Sequence, residues 1–152
     1  MERIARFFKV SPEQFGGEGY DGIILPKRAT AGSAGYDIFS PCDFTLKAGE
    51  EIIIRTGIRV KIEDGWFFMI LPRSGSGFKY GVRLANTAGI IDSDYYNADN
   101  EGHIMIKLVG GDRDYEVKKG SAFAQGIFVP YGITVDDDCS GERKGGFGST
   151  GR

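Results

Sequence analysis

The stretch His103-Ile104-Met105-Ile106-Lys107-Leu108 shows the imperfect apolar alternation of a strand that packs on a core. Seven other short runs, rich in β-branched and aromatic residues, lie before and after it, bounded by Gly, Pro, Asp or Asn. These runs are Arg3–Val10, Glu51–Arg55, Ile58–Lys61, Trp66–Leu71, Tyr115–Val117, Phe123–Val129 and Ile133–Val135. No long segment keeps a helical period, and only Ser74–Lys79 predicts one or two helical turns. The sequence therefore predicts an all-β fold, a sandwich or jelly roll.

The composition limits what this chain can be. Its 152 residues include 24 glycines, about twice the usual share, which indicates many tight turns between short strands. The net charge of −2 provides no overall field to recruit nucleic acid or membrane. Cys42 and Cys139 lack metal-ligand spacing and His103 is the only histidine, which argues against a zinc site or a histidine-based triad. With no apolar run of about 18 residues and no signal-like N-terminus, we expect a cytoplasmic protein.

The character of the sequence changes near its C-terminus. From Asp136 the chain is acidic, then glycine-rich, and almost free of aliphatic residues. Such a segment cannot bury enough surface to fold alone. We expect a β jelly-roll catalytic domain over residues 1–135 and a mobile arm over residues 136–152 that closes over the active site.

Three clusters are suited to a ligand that carries phosphate. Pro72–Gly77 sets Arg73 and Ser74 among glycines at a possible helix start, where anions bind. Gly89–Tyr95 supplies carboxylates, one of which could act as a base or hold a metal, beside a ring that could lie on a sugar. Arg143–Gly151 combines cations and hydroxyls with Phe147, an aromatic ring able to stack on a planar ligand. Together they indicate a nucleotide enzyme.

Each cluster also has a purely structural interpretation. A turn aspartate such as Asp37, which follows a Gly/Ser/Thr-rich turn, often caps backbone N–H groups. Pro72–Gly77 can be an ordinary strand-to-helix turn, Gly89–Tyr95 a hairpin with aspartates facing water, and the tail a disordered linker. The combination and its order favour function over any of these.

Taken together, the clusters resemble the five motifs of the trimeric dUTPase family, over most of the chain from Ala34 to Gly151. The matching segments, in order, are Ala34–Ile38, Pro72–Gly75, Gly89–Tyr95, Gly120 with Ala124-Gln125, and Arg143–Gly151. The resemblance implies a jelly-roll subunit in a homotrimer with active sites shared between subunits. The implied reaction is Mg²⁺-dependent hydrolysis of dUTP to dUMP and pyrophosphate, which supplies dUMP and limits uracil incorporation into DNA. Mg²⁺ would be held by substrate phosphates and water, with no direct protein ligand.

The resemblance also implies a role for each matching residue. Asp92 would activate the water that attacks the α-phosphorus, Gln125 would help to position that water, and Arg143 would act like an arginine finger. Tyr95 would pack beneath deoxyribose and exclude a 2′-OH, and Asp37 would support the site. The remaining substrate-binding residues are Asn86, Gly89, Ile90, Ile91 and Met105 near uracil and sugar, Arg73, Ser74 and Gly75 on phosphate, Phe147 on the base, and Gly148, Ser149 and Thr150 at the β/γ end.

Three features depart from the family pattern. Ala122 stands where the fourth motif usually has Arg, and the fifth motif is one residue shorter between Arg143 and Gly146. The loop Tyr96–Glu101 is longer than usual and could alter the sugar contacts or the rim of the site.

Two other functions are compatible with the fold. A dCTP deaminase on the same fold needs a glutamate that shuttles protons, and Lys107 occupies that place. The other is a dUTPase-like fold that serves as a regulatory protein-binding module. Retention of Asp92, Gln125 and Phe147 favours catalysis.

Overall fold

The computed structural model describes residues 1–141, 143 and 145–146, and the described chain is built from antiparallel strands. The all-β prediction is confirmed. The strands are β1 (Ala5–Lys9), β2 (Lys27–Arg28), β3 (Tyr36–Phe39), β4 (Phe44–Leu46), β5 (Glu51–Arg55), β6 (Ile58–Ile62), β7 (Trp66–Pro72), β8 (Arg83–Leu84), β9 (Gly89–Ile91), β10 (Met105–Val109), β11 (Tyr115–Val117) and β12 (Ala122–Pro130). The helices are α1 (Pro12–Phe15) and α2 (Ser74–Tyr80), with 3₁₀ turns at Tyr20–Gly22 and Ser93–Asn97.

The strands form two larger sheets and two pairs. The largest sheet has the order β2-β3-β12-β7-β9, and a second sheet has the order β5-β10-β8. β1 pairs with β6, and β4 pairs with β11. β7 lies between β12 and β9, so the third and fourth motifs lie on opposite sides of one strand.

The core is centred on Phe68 of β7, which is fully buried. The rings of Phe7 and Phe128 pack on it, with centroids 5.3 and 4.8 Å away. Gly126 on β12 leaves space for this ring, because a Cβ at that position would stand 2.1 Å from Phe68 Cζ. Gly126, directly after Gln125 of the fourth motif, is therefore required by packing.

One predicted strand is wrong. Ile133–Val135 has no regular structure, and the side chain of Val135 is fully exposed. β12 ends at Pro130 opposite Trp66, the first residue of β7, and Tyr131 makes one more backbone bond to Gly65. Beyond this point β7 offers no backbone to pair with, so β propensity alone cannot make a strand there.

The prediction of one or two helical turns at Ser74–Lys79 is confirmed by α2, whereas α1 was not predicted. The signal for α1 is local: Ser11 caps the helix by accepting a hydrogen bond from Gln14 N–H, and Pro12 occupies the first turn. Among the residues that the structure describes, no helix has the length and apolar character needed to cross a membrane.

Candidate active site

The third motif starts in β9 and continues into the 3₁₀ turn Ser93–Asn97. Asp92 precedes that turn in extended backbone, with φ −76° and ψ 160°. The carboxylates of Asp92 and Asp94 are about half exposed, whereas Tyr95 is buried. The motif thus presents two carboxylates at the surface with an aromatic ring behind them.

Arg143 brings the C-terminal segment back to this motif. Its Nη2 lies 2.5 Å from Asp92 Oδ2 and its Nε lies 2.8 Å from Asp94 Oδ1. The guanidinium carbon is 5.8 Å from the centroid of the Tyr95 ring, and Gly146 packs on the edge of that ring. The residues predicted to be base, sugar floor and arginine finger are therefore neighbours. We call Asp92, Asp94, Tyr95 and Arg143 the Asp92 cluster.

A cavity of about 410 Å³ adjoins the Asp92 cluster. Phe67 and Tyr131 form its aromatic wall, with ring centroids 6.2 Å apart. Neither residue is in the predicted site, and neither is Asp94. Phe67 is an apolar residue of a strand and Tyr131 lies outside the motifs, so only the fold reveals their position.

The hydroxyl of Tyr95 is held on two sides. It accepts a hydrogen bond from Asn100 Nδ2 at 2.8 Å and donates one to the backbone oxygen of His103 at 2.9 Å. Burial raises the pKa of Tyr95 above its usual value, so the hydroxyl keeps its proton at neutral pH. The ring is therefore fixed by bonds at its far end as well as by packing.

His103, behind Tyr95, is a structural histidine. Its Nε2 accepts a hydrogen bond from Gly57 N–H at 2.9 Å, so the neutral ring carries its proton on Nδ1. Burial, and then the charge of Arg55, lower the pKa of His103 from 6.5 to about 4, partly opposed by Glu101. The imidazole is uncharged at neutral pH.

A second group joins the first, second and fourth motifs. Arg73 Nε lies 3.1 Å from Asp37 Oδ1, and Gln125 Nε2 donates to the backbone oxygen of Pro72 at 3.0 Å. Gln125 is paired in register with Asp37 of β3 on one side and with Leu71 of β7 on the other. We call Asp37, Arg73 and Gln125 the Asp37 cluster. Arg73 also donates to the backbone oxygen of Ala122, the position where the family pattern has Arg.

The two clusters lie towards opposite ends of β7. Phe68 pairs with Ile91, next to Asp92, while Pro72, next to Arg73, pairs with Ala124. The two pairs are four positions apart along the strand, about 13 Å. Within a single chain, the arginine–carboxylate pairs of the two clusters are therefore separate.

The other predicted residues lie mainly near β9. Asn86 is exposed in the turn between β8 and β9, and Gly89 packs on Ile70. Gly89, Ile90 and Ile91 pair with β7, and the Ile90 side chain is exposed. Ser74 and Gly75 open α2 beside Arg73, whereas Met105 begins β10 in the other sheet. Phe147, Gly148, Ser149 and Thr150 lie outside the described residues.

Over residues 1–141, 143 and 145–146, no three His, Cys, Asp or Glu residues gather in a way that could hold a metal ion. The acidic side chains at the site are the two aspartates paired with Arg143 and the one paired with Arg73. Arginine binds phosphate oxygens in the same geometry as carboxylate oxygens, so both arginines are suited to a phosphate ligand.

Arginines, carboxylates and a buried tyrosine lie near the two ends of one strand in this all-β chain. Such a set of side chains is typical of a nucleotide hydrolase. A model of the dUTPase family matches residues 21–151. The deoxyuridine 5′-triphosphate nucleotidohydrolase of Lactococcus lactis subsp. lactis (strain IL1403) is 40% identical over 134 residues, which cover 86% of this chain and 89% of that protein. The one of Pectobacterium carotovorum subsp. carotovorum (strain PC1) is 44% identical over 137 residues, covering 84% and 87%.

Solved structures agree with the sequence matches. The crystal structure of the dUTPase from Streptococcus mutans is similar with a TM-score of 0.69 and 31% identity, over 86% of this chain and 98% of that one. The chain therefore belongs to the dUTPase family, and the resemblance drawn from the five motifs is confirmed.

Proposed function

We propose that this chain hydrolyses dUTP to dUMP and pyrophosphate at sites that combine the Asp92 cluster of one subunit with the Asp37 cluster of another. Membership of the dUTPase family supports the reaction, and the role of each residue is the proposed part. The observation that carries it is the contact of Arg143 with Asp92 beside Tyr95. Base, cation and sugar floor come together there, although Arg143 is 51 residues away from Asp92 in sequence.

Asp92 is the proposed base. Its carboxylate is half exposed, so a water can reach it, and it forms an ion pair with Arg143. When the phosphates of a substrate arrive, they compete with Asp92 and Asp94 for the guanidinium. Transfer of Arg143 to the phosphate oxygens would release Asp92 to accept a proton from the attacking water and would place the cation where negative charge develops.

The nucleoside end is proposed to lie near β9. Backbone groups of Gly89 and Ile90, with Asn86 at the preceding turn, would contact the uracil edge. Tyr95 would lie beneath the deoxyribose, and its buried, doubly hydrogen-bonded ring has no room to retreat from an added 2′-OH. Phe147, on the same arm as Arg143, would cover the base from the other side.

The phosphate end is proposed to come from the Asp37 cluster of a neighbouring subunit. In one chain this cluster lies at the other end of β7 from Asp92. Members of the family are typically homotrimers that bind dUTP. A closed threefold assembly places one end of a subunit against a different end of the next, which would complete the site three times. Arg73, Ser74 and Gly75 would then hold phosphate, and Gln125 would orient the attacking water.

The family uses Mg²⁺. The residues present fit an ion that keeps most of its waters and is held mainly by substrate phosphates, because such an ion needs no cage of protein ligands. Bound in this way it would neutralise phosphate charge. The described residues would position the nucleotide and the water around it.

The rival deaminase activity receives no support from the structure. Lys107 is exposed on β10 and forms an ion pair with Glu51 of β5. It therefore cannot stand in for a carboxylate at the Asp92 cluster.

The test is pyrophosphate release from dUTP, dCTP, dTTP and UTP, with Asp92→Asn as the inactive control. We expect turnover of dUTP to exceed that of the other three, with Mg²⁺ required. Equal turnover of all four, or ammonia release from dCTP, would contradict the assignment.

Shared sites can be tested by mixing two variants that are each impaired in activity. Asp92→Asn and Arg73→Ala subunits, unfolded together and refolded as a mixture, should regain about a quarter of wild-type activity. In a random assembly about a quarter of the shared sites draw Asp92 from one variant and Arg73 from the other. Light scattering should give the mass of a trimer. No regain of activity in a mixed trimer would show that each site is built within one chain.

A further inference from the structure

The long loop Tyr96–Glu101 reaches the back of the proposed sugar site. Asn100, near its end, donates a hydrogen bond from Nδ2 to the hydroxyl of Tyr95 at 2.8 Å. The same hydroxyl donates to the backbone oxygen of His103 at 2.9 Å. The Tyr95 hydroxyl is thus bonded once as an acceptor and once as a donor, which leaves the ring one favoured position.

Asn100 is itself held in place. Its Oδ1 accepts a hydrogen bond from Gly102 N–H at 3.2 Å, so both ends of the amide are engaged. Gly102 has φ +68°, and a Cβ there would stand 2.6 Å from the backbone oxygen of Tyr95. The return of the loop is therefore packed tightly against Tyr95 and requires glycine.

The loop is anchored at its two ends by groups outside the site. At the start, the Arg59 guanidinium stacks 3.7 Å from the Tyr96 ring centroid and donates to the Tyr96 backbone oxygen. At the end, Glu101 accepts hydrogen bonds from Ser11 N–H at 2.8 Å and from Ser11 Oγ at 2.5 Å. The loop that carries Asn100 is therefore held at both ends, by Arg59 of β6 and by Ser11, which caps α1.

Exclusion of a 2′-hydroxyl by a ring depends on a small displacement, because one oxygen atom is all that separates the two sugars. A tyrosine whose hydroxyl lost one of its two bonds could tilt or slide to admit that atom. Resting on the proposed function of Tyr95, we propose that Asn100 is a positioning residue that fixes the Tyr95 ring and so sets the preference for deoxyribose over ribose. Asn100 acts through Tyr95 and is not a catalytic residue.

The experiment is a double-mutant cycle on the full-length enzyme, with kcat/KM measured for dUTP and UTP. Asn100→Ala should lower the dUTP-to-UTP ratio by roughly 3- to 10-fold, chiefly through faster UTP turnover. Tyr95→Phe keeps the ring and removes the hydroxyl, so it should lower the ratio to a similar extent. Both variants remove the hydrogen bond between Asn100 and Tyr95. The dUTP-to-UTP ratio of the double variant should therefore be no lower than that of the less selective single variant.

Two further variants separate positioning from a general effect on folding. Asn100→Asp keeps an oxygen for Gly102 N–H but has no N–H to donate to Tyr95, so its ratio should fall as in Asn100→Ala. Asn97→Ala is the matched control, since Asn97 is an exposed asparagine of the same loop. Its ratio should equal that of the wild type.

The Tyr95→Ala variant distinguishes failure of the inference about Asn100 from failure of the proposed role of Tyr95. If Tyr95→Ala relaxes selectivity and Asn100→Ala does not, Asn100 has no part in it and the inference is wrong. If Asn100→Ala lowers kcat/KM for dUTP and UTP equally, the residue is merely structural and the inference is again wrong. If Tyr95→Ala leaves the ratio unchanged, the proposed role of Tyr95 fails, and the inference fails with it.

Discussion

The Asp92 cluster and the Asp37 cluster both pair an arginine with carboxylate, but they are built differently. Arg73 immediately follows β7 and immediately precedes α2, so regular structure on both sides fixes its backbone. Arg143 itself lies in neither a helix nor a strand, and its ion pairs with Asp92 and Asp94 tie it to the site. Under the proposed function, Arg73 would be a fixed cation that binds phosphate. Arg143 would be a transferable cation that moves to the phosphate oxygens as negative charge develops.

The largest effect should come from Asp92→Asn. The change keeps the shape of the side chain and removes its ability to accept a proton, so kcat should fall by roughly 10²–10⁴-fold with little change in stability. Steady-state kinetics and thermal melting would check both. Turnover like that of the wild type would remove Asp92 from the role of base and leave only its ion pair with Arg143.

Deletion of residues 140–152 tests the transferable side of the comparison. It removes Arg143 and the proposed lid, so kcat/KM on dUTP should fall by roughly 10²–10³-fold. Stability should change by no more than about 1 kcal/mol, because the ion pairs lost are largely exposed on the carboxylate side. A truncated protein that unfolds would show that the arm is structural, and one with near-normal activity would rule out the lid.

A non-hydrolysable dUTP analogue sharpens the same test. If the arm closes on phosphates, the analogue with Mg²⁺ should slow its proteolysis more than dUMP does. Equal protection by both would place the closing contacts on the part that dUMP shares with the analogue, the nucleoside and its α-phosphate.

Arg73→Ala probes the fixed side and should have a smaller effect. The loss of one charge-assisted contact to phosphate should lower kcat/KM by roughly 10- to 100-fold. The ion pair with Asp37 is 44% exposed on the arginine side, so unfolding free energy should change by about 1 kcal/mol or less. An effect as large as that of the deletion would mean that the two cations are equally involved in the reaction.

The smallest effect at neutral pH concerns His103, which lies behind Tyr95 and has no counterpart in the Asp37 cluster. Its folded pKa of about 4 lies below the unfolded value of 6.5, so the unfolded chain binds the proton first. This stabilisation is complete above pH 6.5 and is lost as the pH falls towards 4, by about 3 kcal/mol in all.

Chemical denaturation between pH 6.5 and 5 would measure this loss where most carboxylates are still ionised. The slope should approach about 1.4 kcal/mol per pH unit. His103→Gln keeps an acceptor for Gly57 N–H and should flatten the profile. An equally steep profile in that variant would assign the acid sensitivity to other groups.

Local signals in the sequence account for much of the fold. Strands β5, β6, β7 and β11 fall where short apolar runs end at turn residues. The error at Ile133–Val135 and the omission of Asn100 have a common cause. The first is a run with strand propensity but no partner, and the second is a polar loop residue whose partner lies on a neighbouring segment. Neither circumstance leaves a mark in local sequence.

The sequence by itself determined the family and the all-β class and proposed the residues of the candidate site, because motif order and spacing are properties of the linear chain. Only the tertiary structure decided that Arg143 reaches Asp92 and Asp94, that Asn100 bonds Tyr95, and that the two clusters lie at different ends of β7. Hydrogen bonds and ion pairs act over about 3 Å in space, whatever the distance along the chain. Which polar groups meet is therefore set by strand register and loop packing.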